Sequence, residues 1–180
     1  GAEEQDVLRP QRIDAGAHAK CHVSHFDTNS PMKQDELRRA LNAVLPADIV
    51  VSESAEADPE FHARKSAVAK TYEYAIWNVP ERPLRDRPYV WHVPMPLNIE
   101  AMRRAASFLV GRKDFAAFRN VGSSVKTTVR DLRRIEIDRQ EHLLRIRATA
   151  SGFLKQMMRV IVGTLVEVGL GRMKPDRVGE

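Results

Sequence analysis

The chain has 180 residues, with 29 Lys and Arg against 24 Asp and Glu, a formal charge of +5. With 43 % apolar and 29 % charged residues, and only 9 Gly and 10 Pro, it fits a folded protein and excludes a fibrous or disordered polypeptide. Its single cysteine, Cys21, excludes an internal disulfide and any multi-cysteine zinc or iron–sulfur site. Of the basic residues 21 are Arg and 8 Lys, and Arg offers the planar two-pronged donor that suits phosphate. The longest apolar stretch, 157–170, is cut by Arg159, Thr164 and Glu167 and falls short of the roughly 20 apolar residues of a membrane span. The first residues are acidic and lack the basic and apolar regions of a secretory signal. A soluble protein of a reducing compartment is expected, cytoplasmic or in an organellar matrix, with no membrane association.

In chain order, Ser30 and Pro31 read as an N-cap and first helical position, and Leu37, Ala40, Leu41, Val44 and Leu45 then recur at helical spacing up to Pro46. Residues 48–54 are short and β-branched, and 71–78 place Tyr72, Tyr74 and Ile76 on one face of a strand. The Pro-rich stretch 80–96 reads as an excursion loop or linker. A second helix opens at Asn98, turns Met102, Ala105, Ala106 and Leu109 inward and stops at Gly111. Residues 132–138 and 143–149 form a hairpin around Gln140 and Glu141. Phe153, Met157, Val160, Ile161, Thr164, Leu165 and Val168 line a third helix closed by Gly169. Consecutive strands without an intervening helix predict an α+β fold, a mixed and largely antiparallel sheet with helices packed on one face. The chain divides into halves 1–80 and 81–180.

Four segments could carry chemistry. Arg12-Ile13-Asp14-Ala15-Gly16 puts a carboxylate two residues after an arginine and before a small turn that a flat ligand can approach; a surface Arg/Asp pair beside an ordinary turn reads the same way. His18, Cys21, His22 and His25 crowd together, yet on a strand His18 and His22 share one face and Cys21 and His25 the other, so four metal ligands do not converge. A metal site would need a partner segment that the rest of the chain does not obviously supply, so no metal is expected. In 61–74, His62, Arg64, Lys65 and Lys70 alternate with Phe61, Tyr72 and Tyr74, a mixture able to stack a nucleobase and grip its phosphates; half-buried sheet tyrosines beside solvated bases also fit. In 151–163, Phe153 and Met157 read as core, and Arg159 is the odd residue on an apolar helix. It either faces an anion or reaches past its neighbours to water.

Taken together and in this order, the segments resemble the TruA-type tRNA pseudouridine synthases. That family carries G-R-T-D-A-G-V-H-A, V-x-H-F, L-N-x-x-L-P-x-D-I-x-V, F-H-A-R-F-S-A before a Y-x-Y strand, D-F-x-x-F, T-x-R and F-L-x-x-M-V-R-x-I-V-G-x-L. The counterparts here are 12–19, 23–26, 41–51, 61–67 with Tyr72 and Tyr74, 114–118, 128–130 and 153–165. The resemblance implies the pseudouridine synthase fold, with the nucleophile motif and Y-x-Y strand in 1–80 and 81–180 completing a cleft. It makes Asp14 the catalytic aspartate and Arg12 the partner that displaces the target base. Tyr72 becomes the ring that stacks on the everted uracil, Arg159 the cation beside the carboxylate, and His62 and Arg64 substrate-binding residues. It implies cofactor-free isomerisation of uridine to pseudouridine in the anticodon stem-loop of tRNA, at positions 38 to 40, by a homodimer. An arginine beside Asp14 would keep the carboxylate ionised, as a nucleophile or base requires.

Ile13 stands where the family has Thr, Gln11 where it has Gly, Lys65 where it has Phe and Lys113 where His is frequent. The family's N-terminal strand and Y-D-G…G-W-Q segment have no counterpart before Arg12, and its pocket-completing C-terminal stretch is missing too, so a shortened form of the family chain is expected. The alternative is a catalytically impaired RNA-binding paralogue of the same fold.

Overall fold

The computed structural model describes residues 16–119 and 126–179. The chain divides into two compact units, Gly1–Ala67 and Val68–Glu180. The second unit includes the Y-x-Y strand, which is hydrogen-bonded along its whole length to another strand of that unit.

Among the described residues of the first unit there is one helix, α1 (Gln34–Val44). It begins later than the Ser30-Pro31 signal predicts. The Ser30 hydroxyl accepts the Met32 N–H at 3.3 Å and closes a separate turn, while Lys33 is the N-cap and its N–H donates to Glu36 Oε2 at 3.2 Å. Leu37, Ala40 and Leu41 make the half-buried face. Residues 48–54, expected as a strand, have irregular backbone. Their place in a ladder is taken by one side chain: Asn42 Nδ2 donates to Val51 O at 2.9 Å and Asn42 Oδ1 accepts the Val51 N–H at 2.7 Å. A primary amide carries the same donor and acceptor as a backbone unit, so it satisfies an extended residue that has no partner strand.

The second unit is a five-stranded sheet in the order β2-β1-β5-β4-β3, with β1 Lys70–Trp77, β2 Trp91–His92, β3 Gly111–Asp114, β4 Val129–Gln140 and β5 Leu143–Ala150. Only β1 and β2 run parallel. The β4–β5 hairpin turns through Glu141 and His142, one residue beyond the expected centre, and Glu141 takes a φ of 53° to close it. Among the described residues, two α-helices, α2 (Ile99–Ser107) and α3 (Met157–Gly169), and three short 3-10 turns complete this α+β unit. Asn98 caps α2 as expected, its Oδ1 accepting the Ala101 N–H at 3.0 Å, and its own N–H donates to Gly169 O at 2.8 Å, tying the start of one helix to the end of the other. The last helix starts at Met157, not Phe153.

Alternation along β5 separates the two faces of the sheet. Leu144, Ile146, Ala148 and Ala150 are buried in one core with Ile76, Met102, Leu132, Met157, Ile161 and Leu165. All the fully buried apolar residues among those described lie in this second unit. The opposite face is ionic: Arg147 Nε bonds Glu73 Oε2 at 3.0 Å, Arg147 Nη2 approaches Asp138 Oδ2 at 3.4 Å, and Arg145 Nε approaches Glu73 Oε1 at 3.7 Å. The bond to Glu73 raises the already high pKa of Arg147 further.

Candidate active site

The sites expected from sequence fall on both units. Arg12 and Asp14 lie outside the described residues. In the first unit, His62 and Arg64 belong to the turn 61–66. Arg64 is exposed, and His62 is half-buried with its ring 4.6 Å from that of His25.

In the second unit, Tyr72 lies near the start of β1 and Arg159 in the first turn of α3. Pairing sets Lys70 opposite Ala150 and Tyr72 opposite Ala148, so the first residues of β1 lie beside the last residues of β5. The chain then passes through 151–156 directly into α3. Tyr72 is 44 % exposed although it shares a face with buried Ile76. Phe153 meets it edge to face, with centroids 4.8 Å apart and planes at 81°. The Arg130 side chain runs alongside Gly152, where a Cβ would stand 3.8 Å from its Nε, and its Nη1 donates to Thr127 O at 3.0 Å and Val129 O at 2.7 Å. Aromatic rings and a tethered cation therefore share a corner.

Arg159 lies in the first turn of α3 and is exposed, so no penalty for burying its charge applies. Among the described residues no hydrogen bond or ion pair holds its guanidinium. A cation at a helix N-terminus stands at the positive end of the helix dipole, which favours an approaching anion rather than the arginine itself. Gln156, which precedes the helix, has φ 64° and ψ 2°, a left-handed conformation that bends the chain sharply ahead of this turn.

Several motif residues prove structural. Phe115 of D-F-x-x-F is buried, Phe118 packs on it at 5.8 Å between centroids, and Asp114 Oδ1 accepts the Ala116 N–H at 3.0 Å. Phe153 is a half-buried neighbour of Tyr72 rather than a helical core residue, and its spacing from Met157 gave no hint of that. Arg130 was visible only as one letter of T-x-R. Among the described residues no group of three or more His, Cys, Asp or Glu is placed to hold a metal ion, and no helix is long and apolar enough to cross a membrane.

A family model described as tRNA pseudouridine synthase matches residues 105–180, which include β3, β4, β5 and α3. Along nearly its full length the chain is 43 % identical to tRNA pseudouridine synthase A 2 of Clostridium perfringens, over 178 residues that make up 99 % of this chain and 73 % of that one. It is 44 % identical to tRNA pseudouridine synthase A of Thermoanaerobacter sp. (strain X514), over 98 % of this chain and 72 % of that one. With its namesake in Syntrophotalea carbinolica it shares 47 % identity over 93 % and 67 %. The chain belongs to the tRNA pseudouridine synthase A family, isomerases that convert uridine in tRNA to pseudouridine.

Proposed function

We propose that the chain isomerises uridines of the tRNA anticodon stem-loop, at positions 38 to 40, with Asp14 as the catalytic carboxylate. The reaction breaks the C1′–N1 bond, turns the freed uracil and joins C5 to C1′; C5 gives up its proton and N1 gains one. Nothing is oxidised or reduced, so the chemistry calls for a positioned base or nucleophile rather than a redox group. A base inside a helix is out of reach, and everting it costs a few kcal/mol. Stacking on Tyr72, displacement by Arg12 and phosphate contacts from Arg64 and its neighbour His62 offset that cost. In this reading Arg159 supplies the positive charge that favours the ionised form of the catalytic carboxylate. Two copies of the chain form the RNA cleft, in the cytoplasm.

The observation that supports this reading best is the corner of the second unit. Tyr72 stays half-open to solvent on the strand that buries Ile76, and Arg159, in the first turn of α3, has no acidic partner among the described residues.

The test is Asp14→Asn and Asp14→Ala on unmodified tRNA, assayed by tritium release from 5-tritiated uridine. Activity is expected to vanish while tRNA is still bound. Activity within about tenfold of the parent overturns the assignment. Mapping of modified sites on a treated tRNA pool should place them at positions 38 to 40.

A further inference from the structure

We propose that His25 and His62 are positioning residues for Arg64, both held as neutral rings with the proton on Nε2. Three successive backbone N–H groups of the turn 61–66 end on imidazole nitrogens. The Ala63 N–H donates to His25 Nδ1 at 3.4 Å, and the Arg64 and Lys65 N–H groups donate to His62 Nδ1 at 3.2 and 3.4 Å. The turn then closes on itself: the His62 N–H donates to Ser66 Oγ at 3.1 Å and the Ser66 N–H to His62 O at 2.8 Å. The two rings lie 4.6 Å apart at 46°, and Phe61 packs edge-on against His25 at 6.1 Å.

The geometry dictates the tautomer. A ring nitrogen that accepts has its lone pair there, so in a neutral ring the proton sits on the other nitrogen. Protonating either Nδ1 would set N–H against N–H and open the turn. Irregular turns usually leave such donors to water, and here two side chains from distant motifs, V-x-H-F and F-H-A-R, satisfy them. The result is a single backbone conformation at Arg64 and Lys65. An exposed arginine that grips a phosphate must lose freedom when it binds, and fixing its backbone beforehand removes part of that cost. The histidines thus act through Arg64, and the Nε2–H of His62 remains available to donate to a phosphate. This role rests on reading Arg64 as a tRNA contact.

The experiment uses the full chain and unmodified tRNA, comparing the parent with His62→Ala, His62→Asn and Arg64→Gln. An asparagine Oδ1 reaches close to where Nδ1 sat and still accepts. His62→Ala is expected to raise KM about 5- to 10-fold with little change in kcat, and His62→Asn to recover most of the loss. Combined with Arg64→Gln, the two effects should fall well short of multiplying, since they act on one contact. In the parent, 15N shifts of both rings should report Nε2–H with an accepting Nδ1. An Nδ1–H tautomer, an Asn variant as impaired as Ala, or a loss confined to kcat overturns the proposal. An unchanged KM in Arg64→Gln removes the tRNA contact itself, and the role with it, while the tautomer measurement shows separately whether the clasp exists.

Discussion

Phe153 presents its ring edge-on to Tyr72 at 4.8 Å and 81°, so the orientation of an exposed tyrosine is set by a residue from the loop before α3. Such a pair contributes about 0.5–1.5 kcal/mol beyond the area it buries. Phe153→Leu keeps the bulk but not the ring, and is expected to lower kcat several-fold with a shift in melting temperature of only a few degrees. Tyr72→Phe retains the stacking face and most of the activity, whereas Tyr72→Ala loses about 10- to 100-fold in kcat/KM. Tritium-release kinetics beside thermal unfolding separate the two effects.

Two glycines of the last helix should respond in opposite directions. A Cβ on Gly169 would lie 2.7 Å from Met102 Sδ and 3.0 Å from Leu97 Cδ2, where α2 and α3 meet most closely. Gly169→Ala should destabilise by about 1–3 kcal/mol. Gly163 has nothing within 4 Å of such a Cβ, and Gly163→Ala should stabilise by about 0.5–1 kcal/mol through helix propensity alone. Urea unfolding of both variants checks the pair.

Asn42 substitutes for a strand partner at Val51. Asn42→Ala strands both backbone groups and should cost about 1–2 kcal/mol in the first unit. Asn42→Asp keeps only the acceptor and should fall between the two. Hydrogen exchange at the Val51 amide reports the loss directly, with protection falling in the order Asn, Asp, Ala.

Affinity for tRNA should fall steeply with salt, and the arginines responsible should be those without acidic partners. Arg82, Arg85 and Arg87 are exposed in the loop before β2, with no ion pair among the described residues. Arg145 and Arg147 already face Glu73 across the sheet. Replacing the three loop arginines with Gln is expected to weaken binding and reduce the slope of log K against log salt by about 2–3. Arg145→Gln should leave the slope nearly unchanged. Filter binding over a salt series distinguishes them.

The elements with strong periodicity were fixed locally. The amphipathic pattern of α2 and its Asn98 cap, and the alternation that made 143–149 a strand, need only their own residues to be read, because side-chain direction follows the period of the backbone. The ordered motifs likewise carried the family, since each residue type recurs at its own spacing. Contacts between distant segments were not legible in this way. Residues 48–54 have a strand's composition, yet a strand needs a neighbour, and an asparagine on α1 took that place. Phe153 has helical spacing to Met157, yet the left-handed Gln156 starts the helix after it and leaves its ring for Tyr72. Arg159 looked like a charge in an apolar setting until the fold put it on the outer side of a first turn. Local pattern determines which way a side chain points; only the folded chain decides what it meets.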